Sequence, residues 1–441
     1  MVLCEKIKVH PKLNVEPLMV VSGRDLVVRT DSNTVFTTGD IHFSDMRRLF
    51  AAINHLVSNK GYKDITLDMS DLSSAFPGPM LALAAITRKL LVDGIDTFLI
   101  LPNEDRLKRL FMNTGWANLI DPLSHLPSNY KGISQIPAIV FKDGDEQFEA
   151  VKIILGRLLG ALKDFDRSYL KAIEWSLNEI SDNVINHAES PFGGILQVVD
   201  FSQRKKAIQF VVCDGGFGIP QTLRGGHPEI DSDVAALDRA IREGVTRASW
   251  AGQGNGLYGS WRIATISGGE FSVNSGFASL VYTPKYGLHT KSESIPFNGT
   301  LVTATIGYEK PLVLEEALQF DGKPHDPPYD FIEKQYGEDL GGNSLFMLCE
   351  ESAGYGSRAS GLGVRTKLLN LRNMTAGKVQ VDLSNIHVIS SSYADEVFGK
   401  LFVELGPIDF SNSFELRSMD RTVKQLIDRA ISQRLLQSQS N

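Results

Sequence analysis

Three stretches of this 441-residue chain carry residue types whose spacing could do chemistry. Asn178–Ala188 reads NEISDNVINHA, Asp214–Pro220 reads DGGFGIP, and Gly252–Gly259 reads GQGNGLYG. A polar helix face, an acidic residue entering a glycine turn, and a glycine-rich loop running into a helix are the parts of a nucleotide–magnesium site. Each alone is weak; their combination in this order is what carries weight.

The first stretch must be held by a helix. At about 100° per residue, Ile173, Leu177, Ile180 and Val184 fall on one side, and Glu179, Asp182, Asn183 and Asn186 on the other. Trp175 shares the polar side. An ordinary amphipathic helix would look similar, but asparagine is a poor helix former that normally sits at caps. An amide oxygen is a hard ligand suited to Mg²⁺, which keeps several waters and takes few protein ligands. A carboxylate one turn away, Glu179, is placed to orient or deprotonate a group attacking a phosphate.

The second stretch ends the apolar run AIQFVVCD, which predicts a buried strand closing at Asp214. A carboxylate there accepts a hydrogen bond from an exocyclic amine such as that of adenine. Gly215, Gly216 and Gly218 permit close backbone approach to a ligand, although Asp-Gly is also common in plain turns. In the third stretch, Gly252, Gly254 and Gly256 precede an amphipathic segment, Leu257–Ile266. Backbone N–H groups of such a loop and the helix start after it suit phosphates. It is no Walker loop, lacking Gly-Lys-Ser/Thr, and no Rossmann turn, lacking a strand just before it. Between Gln221 and Ala251 a charged stretch with Arg224, Arg242 and Arg247 is a candidate lid.

Together these motifs resemble the N, G1 and G2 boxes of the GHKL ATPase superfamily. The residues are Glu179 and Asn183, then Asp214, Gly216 and Gly218, then Gly252 to Leu257. NGTLVTATI, with Gly299-Thr300, resembles that fold's last strand, and Ser267–Gly276 its hairpin. The resemblance runs from about Phe165 to Tyr308. It implies an α/β sandwich, a mixed sheet under helices, binding ATP and Mg²⁺. Asn183 would ligate the metal, Asp214 would bind adenine supported by Thr300, and Gly252, Gly254, Gly256 and Leu257 would wrap the phosphates. Glu179 would be the general base of the hydrolysing and serine-kinase branches.

The flanks add to this. Upstream, strand runs DITLDMS and TFLIL enclose the apolar, helically spaced Pro79–Val92 segment. The pattern resembles a STAS domain, but Ala75–Pro79 stands where the phosphorylatable serine of that family would be, and Ser73 and Ser74 are out of register. Downstream, Gly356–Leu371 and Lys378–Leu405 also resemble a STAS-like domain. There Ser390, Ser391 and Ser392 precede a helix, as an N-cap or as a regulated phosphosite. The expected class is therefore α/β (α+β): a degenerate STAS-like domain (1–130), a GHKL domain (140–308), a proline-rich linker (309–343) and a C-terminal STAS-like domain (344–436).

Bulk composition fits this layout. The hydrophobic fraction is 42% and the charged fraction 22%, values of an ordinary globular chain. A net charge of −7 argues against a general nucleic-acid surface. The three cysteines, Cys4, Cys213 and Cys349, are too few and scattered for a disulfide framework or a zinc site. With no signal-like start and no spanning apolar run, a cytoplasmic protein without membrane contact is expected. Two function classes stay open. One is an ATPase or protein serine kinase in bacterial regulation, acting on a STAS-type partner in cis or in trans. The other is an ATP-dependent conformational switch with little turnover. Homodimerisation is common among the relatives that the motifs resemble. No phosphoacceptor helix pair precedes the motifs, which disfavours a histidine kinase; His187 reads as a packing or capping residue.

Overall fold

β1 (Val27–Asp31) and β2 (Thr34–Ile41) form a hairpin, after which β2 pairs in parallel with β3 (Asp64–Ala75), and β3 with β4 (Asp96–Ile100). Parallel neighbours need a crossover, and the helices Met46–Asn54 and Pro77–Val92 supply it. The computed structural model describes residues 25–130, 135–200, 205–242, 244–245, 255–309, 314–320, 322–324, 330–337 and 341–438.

Pro77 starts its helix where a missing N–H costs nothing. Met80 to Ala85 are buried all the way round. A helix apolar on every side needs cover on every side, and this one lies between its own sheet and a second one.

That second sheet has the order β5 (Ile139–Phe141), β6 (Gly194–Asp200), β7 (Ala207–Asp214), β9 (Gly287–Gly307), β8 (Glu270–Thr283). The resemblance implied a mixed sheet. Every pairing among the described strands of this sheet is antiparallel, two of them formed by the direct successions of β6 into β7 and β8 into β9. Alternation explains the unbroken apolar run of β7. Phe210 and Val212 face the helices Gly144–Ala161, Arg167–Asn183 and Gly256–Ile266, together with Leu196, Val198 and Val302. Val211 and Cys213 face the opposite way, with Ile195 and Leu301, onto the N-terminal unit. Arg47 pins that contact. It is 6% exposed and donates to the carbonyls of Gly276 (3.1 Å), Ala278 (3.1 Å) and Ile295, and to Asn274 Oδ1 (3.3 Å).

After β9 come the small ribbon β10 (Gln319–Phe320) and β11 (Lys323–Pro324) and the helix Phe331–Tyr336. The third sheet is parallel throughout: β12 (Ser344–Met347), β13 (Val379–Asp382) and β14 (Phe414–Arg417). The helices Arg358–Met374, Lys400–Ser413 and Arg421–Ser438 accompany it. Gly406 (φ 77°) followed by Pro407 breaks the second of these. Asn370 of the first donates to the carbonyls of Leu159 (2.8 Å) and Leu162 (2.6 Å), locking it to the central helices. Three main sheets with helices packed on them make this the mixed α/β class expected from sequence. Among the described residues no helix is long and apolar enough to cross a membrane.

Candidate functional site

The Arg167–Asn183 helix begins at Asp166, whose carboxylate caps Ser168 N–H at 2.8 Å. Its apolar side, including Ile173, Leu177 and Ile180, is buried as the periodicity demands. The chain then widens into one π turn, Val184–Ala188, and leaves through Glu189 in the left-handed region (φ 51°). Such wide turns re-aim side chains and recur at functional sites. Glu179, Asp182, Asn183 and Asn186 all line a cavity of about 480 Å³, within the range of small-molecule pockets.

β7 delivers Asp214 to the same cavity. The carboxylate is 2% exposed. It accepts from Gly216 N–H at 2.8 Å and from the backbone N–H of Thr300. Burial raises its pKa to about 6, opposed by those two N–H groups and by the charge of Lys89. Lys89, on the Pro77–Val92 helix, donates to Gly215 O at 3.3 Å, so the N-terminal unit touches the back of this turn.

The glycines here have steric reasons. Gly218 has φ 79°, and a Cβ there would stand 2.5 Å from Ser275 Oγ. Ser275 Oγ, fully buried, accepts from Ile219 N–H (2.9 Å) and donates to Gly299 O (2.7 Å). It thereby clamps the turn to the strand that carries Thr300. Gly216 leaves no room for a side chain against the Ala188 backbone, whose carbonyl accepts from Phe217 N–H at 2.8 Å.

The Gly256–Ile266 helix points its first turn at Glu179. A Cβ on Gly256 would lie 2.5 Å from Glu179 Oε2. Burial, with a smaller contribution from the Asp182 charge, lifts the Glu179 pKa to about 7. Burial also raises Asp182. Of the residues singled out in the sequence, Glu179, Asn183, Asp214, Gly218, Gly256, Leu257 and Thr300 line the one cavity, and Gly216 stands behind Asp214 as its hydrogen-bond donor. Gly252, Gly254 and Arg247 lie outside the described residues. Arg224 is engaged with Asp233 (2.5 Å) and Ile230 O (3.3 Å), tying together the helices Ile219–Gly226 and Asp233–Ala240.

The arrangement can bury an amine-bearing ring against Asp214 and present a partly protonated carboxylate, Glu179, at the glycine-helix end. The Asn183 amide is exposed to the cavity and suits a hard cation that keeps its waters.

Sequence reasoning passed over three participants. Ser275 was seen only as part of a hairpin, Lys89 only as part of an apolar helix, and Phe320, which lines the cavity, lay in a stretch read as a connector. In the flanks, Ser74 Oγ donates to Asp40 Oδ1 at 2.7 Å. Ser390 is the N-cap of a short helix, accepting from Tyr393 N–H at 3.0 Å.

Compared with known families, residues 361–424 match a model described as a STAS-like domain of unknown function (DUF4325). The matched span holds most of the Arg358–Met374 helix, all of β13 and β14, and the Ser390–Ser392 loop. No curated protein matches the chain. The C-terminal unit is therefore STAS-like over residues 361–424.

Proposed function

We propose that the cavity binds ATP with Mg²⁺ in the manner of GHKL ATPases, and that the protein acts in bacterial regulation as an ATPase or as a serine kinase toward a STAS-type partner. The observation that supports this most is the convergence on one cavity of a strand-end carboxylate, a helix-borne Glu/Asn pair and the start of a glycine-led helix. In this reading Asp214 accepts from the adenine amine, with Thr300 and Gly216 fixing the carboxylate. Asn183 would hold the Mg²⁺, whose charge would draw together the phosphate oxygens. Glu179, poised near neutrality, takes the proton of the attacking water or serine hydroxyl. That oxygen then bonds to the γ-phosphorus, the bond to the bridging oxygen breaks, and ADP leaves.

A second reading, ATP as a switch ligand with little turnover, is favoured by the bonding of the C-terminal unit to the start of the site helix. Arg167 donates to Met374 O at 2.8 Å, and Phe165 N–H to Asn370 Oδ1 at 3.2 Å. The two are separated with γ-labelled ATP and Mg²⁺. Label on a serine, lost in Glu179→Ala, supports the kinase; free phosphate supports the ATPase; tight binding without either supports the switch. Absence of Mg–ATP binding would overturn the site.

A further inference from the structure

The Arg167–Asn183 helix works on two sides. Glu179 and Asn183 face the cavity. On the outer side Glu174, 8% exposed, accepts from Phe331 N–H (2.7 Å) and Lys334 Nζ (3.0 Å). Asp330, 3% exposed, receives Arg167 through two nitrogens (2.6 and 3.0 Å) while capping the Phe331–Tyr336 helix. Both acids are buried and paired, so removing either partner would leave an uncompensated buried group and loosen this fastening.

Leu318 and Phe320, earlier in the same stretch of sequence, meet the cavity side of the site helix. Phe320 lines it and stacks on Trp175 with ring centres 6.3 Å apart and planes at 29°. Tyr258, in the first turn of the glycine-led helix, meets Phe320 at 6.3 Å. Leu318 is fully buried against Gly259, at which any side chain would collide with Trp175. Phe320 thus contributes an aromatic wall inside the cavity, and residues 330–334 are fastened to the site helix outside it.

We propose that Phe320 is a cavity wall supplied in cis by the connector, through which nucleotide occupancy and the seating of the STAS-like C-terminal unit on the site helix are coupled. This rests on the Mg–ATP reading. A nucleotide that packs against the Trp175–Phe320 pair favours the seated connector, and by linkage a seated connector favours the nucleotide to the same extent. Phe320 acts here as a positioning residue, setting Trp175 one helical turn before Glu179.

The test uses the full chain and the Mg²⁺ complex of a non-hydrolysable ATP analogue. Wild type binds the analogue, and binding slows backbone hydrogen exchange in 331–336 and in 358–374. Phe320→Ala weakens binding by about 5- to 10-fold and, at saturating analogue, loses the slowing in those two helices while 167–183 stays protected. Phe320→Tyr restores both. Glu174→Gln, which touches no cavity atom, weakens analogue binding about 3-fold or more through the outer fastening. Wild-type affinity in Phe320→Ala, slowing that persists in it, or unchanged exchange in the saturated wild type overturns the coupling and leaves the nucleotide site standing. Failure of the wild type to bind the analogue overturns both.

Discussion

Glu179 and Gly256 face each other so closely that a Cβ on residue 256 would sit 2.5 Å from Glu179 Oε2. The nearest atom is the end of a side chain but Glu179 Cβ follows at 3.1 Å, so Gly256→Ala displaces the carboxylate and also presses the two helices slightly apart. Displacing the carboxylate from its rotamer costs about 0.5–1.5 kcal/mol, and alanine returns up to about 1 kcal/mol of helix propensity. The melting temperature should therefore stay within a few degrees of wild type, while phosphate release or transfer falls about 100-fold, the share of a general base. A variant with full turnover would remove Glu179 from the mechanism.

Proton uptake at Glu179 should make both the proposed turnover and the stability pH-dependent, with opposite signs. With a folded pKa of about 7, the base form grows as pH rises from 6 to 8, so turnover climbs and then levels; Glu179→Gln abolishes this step. For stability, the fold binds this proton more tightly than the open chain, whose value is near 4.5. The contribution is thus full below pH 4.5 and lost as pH rises through 7. Asp214, raised from 3.8 to about 6, has the same sign. The ligand-free melting temperature should drop between pH 5 and pH 8, and drop less in Glu179→Gln. An equal drop in both proteins would contradict the Glu179 assignment.

Metal dependence isolates Asn183. Asn183→Ala should weaken ATP binding in Mg²⁺ by about tenfold, roughly 1.4 kcal/mol. In EDTA, variant and wild type should bind alike. Calorimetry in both buffers decides it; an equal loss in both would mean that the amide touches the nucleotide or the fold instead.

Ser275 predicts a structural effect with a functional echo. Ser275→Ala leaves Ile219 N–H and Gly299 O without their buried partner, a cost of about 1–3 kcal/mol. The denaturation midpoint should fall accordingly, and ATP affinity with it, since Gly218 and Thr300 are no longer clamped. Unchanged stability would show that the turn holds itself.

What the sequence made legible is local. The AIQFVVCD strand ends at Asp214 as its apolar run predicts, and the helix through Glu179 and Asn183 has the face its spacing requires. Glycine positions pointed to close approaches because only missing side chains permit them. Long-range packing was not legible. Nothing in the spacing of Lys310–Asn343, rich in proline, says that Phe320 stacks on Trp175, or that Asp330 and Glu333 meet Arg167. Nor does the Pro77–Val92 pattern name the second sheet that covers it. Periodicity tells how much of a helix must be covered, not by what.

That cover has a temporal side. The apolar surface of Met80–Ala85 is made early in synthesis, whereas its covering strands are complete only once Leu301 has emerged. At about 5–20 residues per second, the interval is on the order of tens of seconds. Until then only the side that packs on the N-terminal sheet has its native cover, and the side that will meet Val211, Cys213 and Leu301 does not.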